Sequence, residues 1–436
     1  KSLYIVAFSL AFATTGIAQN NEGQDKVIDL GTQTTTELRK TQAVSTIYSD
    51  ELDKNATTSP YNAIYGLLPG LSVMQNTSWG TDKSRLNVRG RGSLNGDTPL
   101  FVVDGFARPL EYINLSEIES ISVLKDGAAT ALWGGRGANG VVLITTKRGM
   151  YSKKEIKVDY KFGLGLPVNQ PEFADAYTYA KARNEALRYD GLQPDMDEAS
   201  FLAGGNRDLY PNVDWQKEAL RNHTTSHQLD ITFRGGGKRL RYFSVLNYKN
   251  DMGLLNSKYT DYTDRYNSQM KKYFLNLRMN LDVDITDATK LKLNMLGMLR
   301  ETKRPTTSEA TLFEQIFNTP SATFPVQTQN GLWGSNNVLK TNPIANLADV
   351  GYYKLNQRML QADLRLIQDL SVLTRGLSAE LAIAYDNNAT YQETAKKSFM
   401  YQTIEKGTDG EPVYTNYGNP NDELEISNKG LANQYI

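Results

Sequence analysis

From Lys157 onward the chain alternates apolar and polar residues in runs of about ten, and this period constrains the fold more than any other feature of the sequence. In KVDYKFGLGL, the residues Val158, Tyr160, Phe162, Leu164 and Leu166 alternate with Lys, Asp, Lys and two glycines. Leu275, Leu277, Met279, Leu281, Val283 and Ile285 alternate with Asn276, Arg278, Asn280, Asp282 and Asp284. The same period marks 226–234, 239–248, 290–299, 359–368 and 377–386. A strand of about ten residues, tilted near 40°, spans about 25 Å, the height of the apolar band of an outer-membrane barrel. A β-sandwich alternates too, so the connections decide. Gly235–Lys238, Thr286–Thr289 and Asp369–Gly376 are short; 167–225, 249–273 and 300–358 are long. Strict short–long alternation belongs to transmembrane barrels, with tight turns on one side and long loops on the other.

Composition narrows the alternatives. The 436 residues carry 48 basic and 48 acidic side chains, so there is no electrostatic case for nucleic acid, and the RGRG at Arg89–Gly92 does not make one. The absence of cysteine excludes disulfides, thiolate metal sites, a cysteine nucleophile and a lipid-modified cysteine. Beyond the first 18 residues no run approaches the roughly 20 apolar residues of a spanning helix. A membrane protein of this composition must therefore cross with strands.

Lys1–Ala18 reads as a secretory signal: a positive start at Lys1, an apolar stretch from Leu3 to Ala13, and small residues in Gly16-Ile17-Ala18. Residues 19–43 form a polar leader containing DKVIDLG, a short β-prone segment of the kind that adds as a strand to a partner's sheet edge. Val44–Leu52 reads as a strand and Tyr61–Leu68 as a short helix stopped by Pro69-Gly70.

Between Leu67 and Gly149 lie three short apolar runs, Leu100–Val103, Ile118–Leu124 and Val141–Thr145, separated by Gly, Asn and Asp turns. They read as strands of a small mixed sheet. Asp126–Trp133 suits a short helix ended by glycines. Gly135, Gly137 and Gly140 satisfy G-x-G-x-x-G, but a nucleotide site needs a strand before the glycines and a helix after them. Here the order is reversed, and the glycines read as a tight helix-to-strand turn.

The pieces LLPGLSV, NVRGRGSLNGDTPLFVVDG, IESISVLKDGAATALWGGRGANG and VVLITTKRG, in this order and spacing, resemble the plug domain of SusC/RagA-type TonB-dependent outer-membrane transporters. Trp133 stands where the family usually has Tyr or Phe. The resemblance picks out Arg89, Gly90, Asp104, Gly105, Lys125, Asp126, Gly135, Arg136, Gly137, Asn139 and Gly140 as the plug signature. It makes Asp25, Lys26, Val27, Ile28, Asp29, Leu30 and Gly31 a TonB box, gripped by TonB and its ExbB/ExbD energising complex. Similarity continues through NVDWQKEALRN and GGGKRLRYFSVLNYKNDMGLL to Leu255, then thins. The implied fold is a transmembrane β-barrel with an N-terminal α+β plug in its lumen, in the outer membrane of a Bacteroidetes-like Gram-negative cell. The implied activity is TonB-dependent import of a glycan or oligopeptide, beneath a SusD-like lid lipoprotein. The implied layout is signal 1–18, leader 19–43, plug 44–150 and partial barrel 151–436. A passive porin or a TonB-dependent signalling receptor is the alternative. Seven strands, with an eighth expected near Thr390–Tyr401, are too few for the family's barrel of about 22, so a longer protein is expected.

Other candidate sites are weaker. His223 and His227, the only histidines, are spaced as two metal ligands on a helix would be, but no Glu lies between them and the segment enters a strand. No metal or cofactor is expected, and no G-x-S-x-G or convergent nucleophile points to an enzyme. Asp282 and Asp284 share one side of a strand, read as the lumen side. Arg85, Arg89, Arg91 and Arg136, with Asp97, Asp104 and Asp126, are candidates for ion pairs between plug and wall. Tyr177, Tyr179, Tyr189, Trp215 and Trp333 lie in the long loops, where aromatic rings stack on sugars or pack the loops themselves.

Overall fold

The computed structural model describes residues 41–435 except 55, 56, 58, 76–83, 93–95, 152, 153, 169, 262, 264 and 420–422, together with the backbone of three strands ahead of them. Those three are β1 (Tyr4–Ala11), β2 (Val27–Asp29) and β3 (Thr34–Thr36). The plug follows, with β4 (Val44–Tyr48), β5 (Leu71–Met74), β6 (Arg85–Val88), β7 (Leu100–Val103), β8 (Phe106–Ala107), β9 (Ile118–Leu124) and β10 (Val141–Thr146). The wall is built from β11 (Lys154–Leu166), β12 (Thr224–Gly236), β13 (Leu240–Met252), β14 (Lys271–Asp284) and β15 (Thr289–Pro305). After β16 (Trp333–Ser335) come the wall strands β17 (Gly351–Asp369) and β18 (Ser378–Lys396), the short β19 (Tyr401–Lys406) and β20 (Pro412–Tyr417), and finally β21 (Glu425–Tyr435).

The plug sheet has the order β4-β9-β10-β7-β8, with β10 and β7 parallel and the remaining pairs antiparallel. Alternation along each strand divides its apolar side chains between two cores. Ile47, Ile121, Val123, Val103, Val142 and Ile144 pack on one face against Leu52, Ile64, Leu110 and Leu115. Val44, Val102, Leu124, Val141 and Leu143 pack on the other with Ala129. The β7–β8 connection is a two-residue hairpin in which Asp104 (φ 47°) and Gly105 (φ 92°) both take left-handed backbone. Asp-Gly is a favoured pair for that turn, because its twist matches the strands and only Gly adopts positive φ without cost.

The three strands expected between Leu100 and Thr145 form as read, with β10 extended by one residue. Asp126 caps the helix Gly127–Thr130 by accepting from Ala129 N, and a 3₁₀ stretch over Ala131–Gly137 carries the chain to β10. The glycines thus follow a helix and precede a strand. Gly140 sits at φ +87° with Val88 where a β-carbon would lie, so packing as well as backbone demands glycine there. Val44–Leu52 is not one strand: β4 ends at Tyr48 and Ser49–Leu52 is helical, turning Leu52 into the core.

The wall is antiparallel, in the order β11-β12-β13-β14-β15-β17-β18-β21, with β1 paired to β11 from Tyr4↔Leu166 to Ala11↔Asp159. The segment read as a signal thus lies along a sheet edge, whose unpaired N–H and C=O groups demand partners wherever water is excluded. One expectation fails. Thr390–Lys396 is the end of β18, a strand of 19 residues, and the eighth wall strand is Glu425–Tyr435. Between them, β16, β19 and β20 form a separate small sheet.

Solvent exposure along the wall is inverted relative to a water-soluble sheet. On β14, Asn276, Arg278, Asn280 and Asp282 are 0–5% exposed, whereas Leu275 and Leu277 are 40% and 44% exposed. Apolar residues on the outside are stable only against lipid, and buried polar ones only if hydrogen-bonded. Among the described residues no helix is long and apolar enough to cross a membrane, which says nothing of strands.

The long connections are folded. The helices Trp215–Ala219, Ser257–Thr260, Glu309–Asn318 and Ala345–Ala348 share a core of Trp215, Leu255, Tyr259, Met270, Leu312, Ile316, Phe324, Trp333 and Leu347. This cap stands at the long-loop end of the wall.

Candidate functional site at the plug and wall

The polar residues buried on the inner face of the wall are spent on the plug. Glu117 is 0% exposed. Its carboxylate accepts from Asn276 Nδ2 and Arg278 Nε of β14, each at 2.5 Å. Two residues further along β14, Asn280 Nδ2 donates to Thr146 Oγ1 and to Lys147 O, both at 2.8 Å. Next, Asp282 accepts from Arg148 at 3.2 Å. The period of two places all four wall residues on one face, so a single strand holds the end of β10 and the start of β9.

A second anchor holds the hairpin. Arg108 donates to Asp363 on β17 at 2.5 Å and to Asp386 on β18 at 2.8 Å, while Asn294 on β15 supports Asp363 at 2.6 Å. Arg365 donates to Asp104 O at 2.9 Å and occupies the space a β-carbon on Gly105 would need. Nearer the long-loop end, Arg300 donates to Glu111 O at 2.7 Å. Arg234 donates to Arg148 O at 2.6 Å.

Burial and charge act in opposite senses at these groups. Burial pushes the Glu117 carboxyl up, against the pull of Arg278. Burial works against ionisation of Asp104 too, but Arg148, Arg278 and the hydrogen bonds from Thr146 hold its carboxyl below the usual range. Arg108 is desolvated, yet Asp386 and Asp363 raise its pKa further. Fully buried pairs of this kind gain little net stability, because desolvation offsets attraction; removing one partner, however, strands the other charge. Their effect is positional, fixing the plug in one orientation.

The plug signature residues separate into four groups. Asp104 and Gly105 meet the wall. Lys125 and Asp126 hold the start of β4: Lys125 Nζ donates to Ser45 Oγ at 2.6 Å and Asp126 Oδ2 accepts from Ala43 N at 2.8 Å. Arg89 (φ 58°) and Gly90 (φ 85°) end β6 in left-handed backbone. Gly135, Gly137 and Gly140 line the turn, where Asn139 Nδ2 donates to Gly96 O at 3.2 Å and Arg136 is exposed. Of the TonB box, Val27–Asp29 pairs with Thr34–Thr36; Asp25, Lys26, Leu30 and Gly31 lie outside the described residues.

The ion pairs expected between plug and wall involve other residues. Asp97 pairs with Arg85 and Arg91 inside the plug, and Asp126 serves as a cap. The wall contacts come from Arg108, Glu117 and Arg148, which the sequence reading did not select. Asp282 does face the lumen side, and Asp284 accepts from Tyr151 OH at 3.2 Å. His227 Nδ1 meets Tyr160 OH at 2.7 Å, and among the described residues no group of potential ligands could hold a metal. Trp215 and Trp333 are both 3% exposed in the cap core, their Nε1 groups donating to Pro320 O and Asp349, so they pack the loops and are closed to a sugar ring. Tyr177 and Tyr179 are half-buried and Tyr189 is exposed.

A cavity of about 160 Å³ lies in the cap, lined by Asp208, Leu209, Tyr210, Thr323, Ser335, Ile404 and Lys406. Lys406 Nζ donates to Tyr210 OH at 2.8 Å there, and Tyr414 OH donates to Asp208 at 2.7 Å. Burial and that carboxylate push the Tyr414 hydroxyl up to about 12.

Comparison with known proteins places this architecture. Residues 36–141 match the TonB-dependent receptor plug domain. The chain is 31% identical over 255 residues to the TonB-dependent receptor SusC of Bacteroides thetaiotaomicron, covering 55% of this chain and 24% of that protein. It is 29% identical over 281 residues to the TonB-dependent receptor P26 of Formosa agariphila, covering 63% and 26%. These matches span about a quarter of the length of those relatives. Among solved structures, the RagAB peptide importer in its open-open state superposes with a TM-score of 0.68 at 17% identity, over 94% of this chain and 53% of that one. Its closed-closed state gives 0.65 at 18% identity, over 82% and 42%. At that identity the superposition speaks for the fold alone. Plug, partial barrel and plug-domain match agree: residues 36–141 form a TonB-dependent receptor plug domain, and the chain is similar to TonB-dependent receptors of the SusC type.

Proposed function

We propose that the full protein imports a large nutrient, a glycan or an oligopeptide, across the outer membrane by TonB-dependent transport. The observation that carries this reading is the seat itself. A folded domain is pinned to the inner face of the wall by buried charges on β14, β17 and β18, an arrangement with no purpose in an open pore. A plug so held blocks passive flow, and its displacement requires work from outside the barrel.

In this reading residues 1–18 direct export, 44–150 form the plug and 151–436 begin the barrel. Residues 25–31 pass to the periplasm, where TonB, driven by ExbB/ExbD, pulls on them. Substrate arrives at the cap, at the long-loop end, beneath a SusD-like lipoprotein. No bond in the substrate is made or broken. The cargo class rests on relatives: one similar structure is a peptide importer, and SusC is a relative of unstated cargo.

The test is uptake and growth on a panel of glycans and peptides, with the full-length gene and with residues 25–31 deleted. Growth lost on one class at unchanged outer-membrane abundance supports energised import and names the cargo. Uptake indifferent to the deletion rejects the box and favours a passive channel.

A further inference from the structure

We propose that the cavity in the cap captures a protonated primary amine at one end of the cargo, held by the Asp208 carboxylate. This deepens the import reading, on which it rests for its purpose. It gives a charge to the unit recognised at the long-loop end, be that a peptide's free amino terminus or an amino sugar.

Asp208 is turned inward by its loop. It is 4% exposed, although Arg207 beside it is exposed. Its own N–H donates to Asn206 Oδ1 at 2.9 Å, which turns the chain just ahead of it. The two carboxylate oxygens then differ. Oδ2 joins three segments of the cap, accepting from Tyr414 OH at 2.7 Å and from Gln329 N at 3.0 Å. Oδ1 accepts no hydrogen bond among the described residues and is not sealed in the interior, so it opens on the cavity that Asp208 lines. A carboxylate so far out of water, with one oxygen open, calls for a donor and a counter-charge.

The protein supplies no such counter-charge among the described residues. The cation that lines the cavity, Lys406, is engaged elsewhere: its Nζ donates to Tyr210 OH at 2.8 Å, lies 5.5 Å from the centre of that ring and is 3.9 Å from Asp197. Asp197 offsets it at a mouth open to water, where the two side chains are 43% and 54% exposed. Glu411 adds a further negative charge beside Tyr414. The sum is negative, and Asp208 is its least solvated member, where a charge is least screened.

Volume and lining set what carries the amine. The cavity holds about 160 Å³, and cavities of about 150 Å³ admit one six-membered ring. One terminal residue or one sugar ring fits, so the site reads an end of the cargo. Ile404 and Leu209 offer it apolar contact. The Thr323 and Ser335 hydroxyls, which donate to Pro320 O and Leu339 O, retain acceptor lone pairs for an ammonium's other protons. Tyr210 is held by an edge-on contact with Phe201 at 5.3 Å, so this wall is preformed. A sugar hydroxyl would also donate to Oδ1, but only an ammonium compensates the charge as well. A metal is a poorer complement, because among the described residues no group of three potential ligands gathers.

The test is calorimetric titration of the purified full-length protein in detergent, with trialanine, N-acetyltrialanine, glucosamine and N-acetylglucosamine as probes. A free-amine probe is expected to bind about tenfold or more tightly than its acetylated counterpart. Preference within the peptide pair names an amino terminus, preference within the sugar pair an amino sugar, and preference within both the ammonium itself. Equal binding within both pairs, or no binding, overturns the proposal. Asp208→Asn, which keeps an acceptor for Tyr414 and Gln329, is expected to abolish the preference at an unchanged unfolding midpoint. Lys406→Met is expected to tighten amine binding roughly two- to fivefold by removing a like charge, a gain that a damaged fold does not give. A preference that survives Asp208→Asn, or amine binding weakened by Lys406→Met, overturns the proposal. Binding is read without TonB, so failure of the import reading shows separately, as uptake indifferent to deletion of residues 25–31 while the amine preference stands.

Discussion

The plug meets its surroundings along two seams of opposite construction. Toward the wall, Arg108, Glu117 and Arg148 reach across to β14, β17 and β18 through ion pairs that are dry at Glu117–Arg278 and Arg108–Asp363 and partly exposed at Arg148 and Asp386. On its other side, β4 is held by β9, by one hydroxyl contact, by the half-exposed Lys125 and Asp126, and by Val44 and Ile47 buried in the two plug cores. Buried charge fixes position because no other arrangement leaves it paired. An edge strand is held by bonds on one side only, so here apolar packing of Val44 and Ile47 carries what charge carries at the wall. The difference teaches that the plug is fixed to the wall by paired charge and to its own first strand by backbone pairing and apolar packing.

The largest expected effect lies at the wall. Glu117→Gln leaves Arg278 buried beside a neutral partner and is expected to cost about 3–5 kcal/mol, read as a lowered unfolding midpoint in detergent. Replacing both, with Glu117→Gln and Arg278→Met, is expected to recover part of that loss. A double variant no better than the single one would mean that the pair is not acting as a unit.

A paired substitution on β14 asks whether the inner face is truly the protein-facing one. Asn280→Leu removes the donor to the Lys147 carbonyl and to Thr146, which keeps its bonds to Asp104, and this predicts a loss of roughly 1–3 kcal/mol. Leu275→Asn, on the outer face, is expected to leave the plug contacts intact and to reduce insertion into the membrane. Equal effects on plug protection from protease would break the assignment of faces.

At the start of β4, Asp126→Ala is expected to cost about 0.5–2 kcal/mol through the lost helix cap, with the bond from Ala43 N lost as well. Amide exchange at Ala129 and Thr130 is the measurement, faster in the variant while Val142 and Leu143 are unchanged. The smallest effect is that of pH. The bond from Ala43 N, that from Ala129 N and the nearby Arg89 lower the Asp126 pKa below its ordinary value, against the opposing effect of burial. A depressed carboxylate contributes stability that is complete above the unfolded pKa, about 3.9, and is lost as pH falls through the folded one. The protection of Ala129 relative to its intrinsic exchange rate should therefore be flat from neutral pH down to the ordinary aspartate range and fall only below it. A fall near pH 6 would point to another group.

Much of this was legible without coordinates. The period of two named the inner residues of β14, Asp282 among them, because a strand turns alternate side chains to opposite faces whatever it packs against. The helix-before, strand-after order around Gly135–Gly140 excluded a nucleotide loop, since local backbone order does not depend on the rest of the fold. The ion pairs were not legible. Arg85, Arg91, Asp97, Arg108 and Glu117 are all charged residues in the plug stretch, and nothing in their spacing distinguishes those that turn inward from those that reach a strand more than a hundred residues away. Trp215 and Trp333 were similarly open between a binding surface and a core until the cap helices enclosed them.

By itself, then, the sequence determined the strand period, the rhythm of short and long connections, the glycine turns and the order of plug and wall. Each of these is a property of neighbouring residues, set by backbone geometry and the apolar pattern. The tertiary structure decided which charges pair, where the eighth wall strand lies, and that Lys125 and Asp126 grip the first strand of the plug. Those depend on distance through space between segments far apart in the chain. Desolvation gives such contacts their selectivity, and it exists only once the plug is seated.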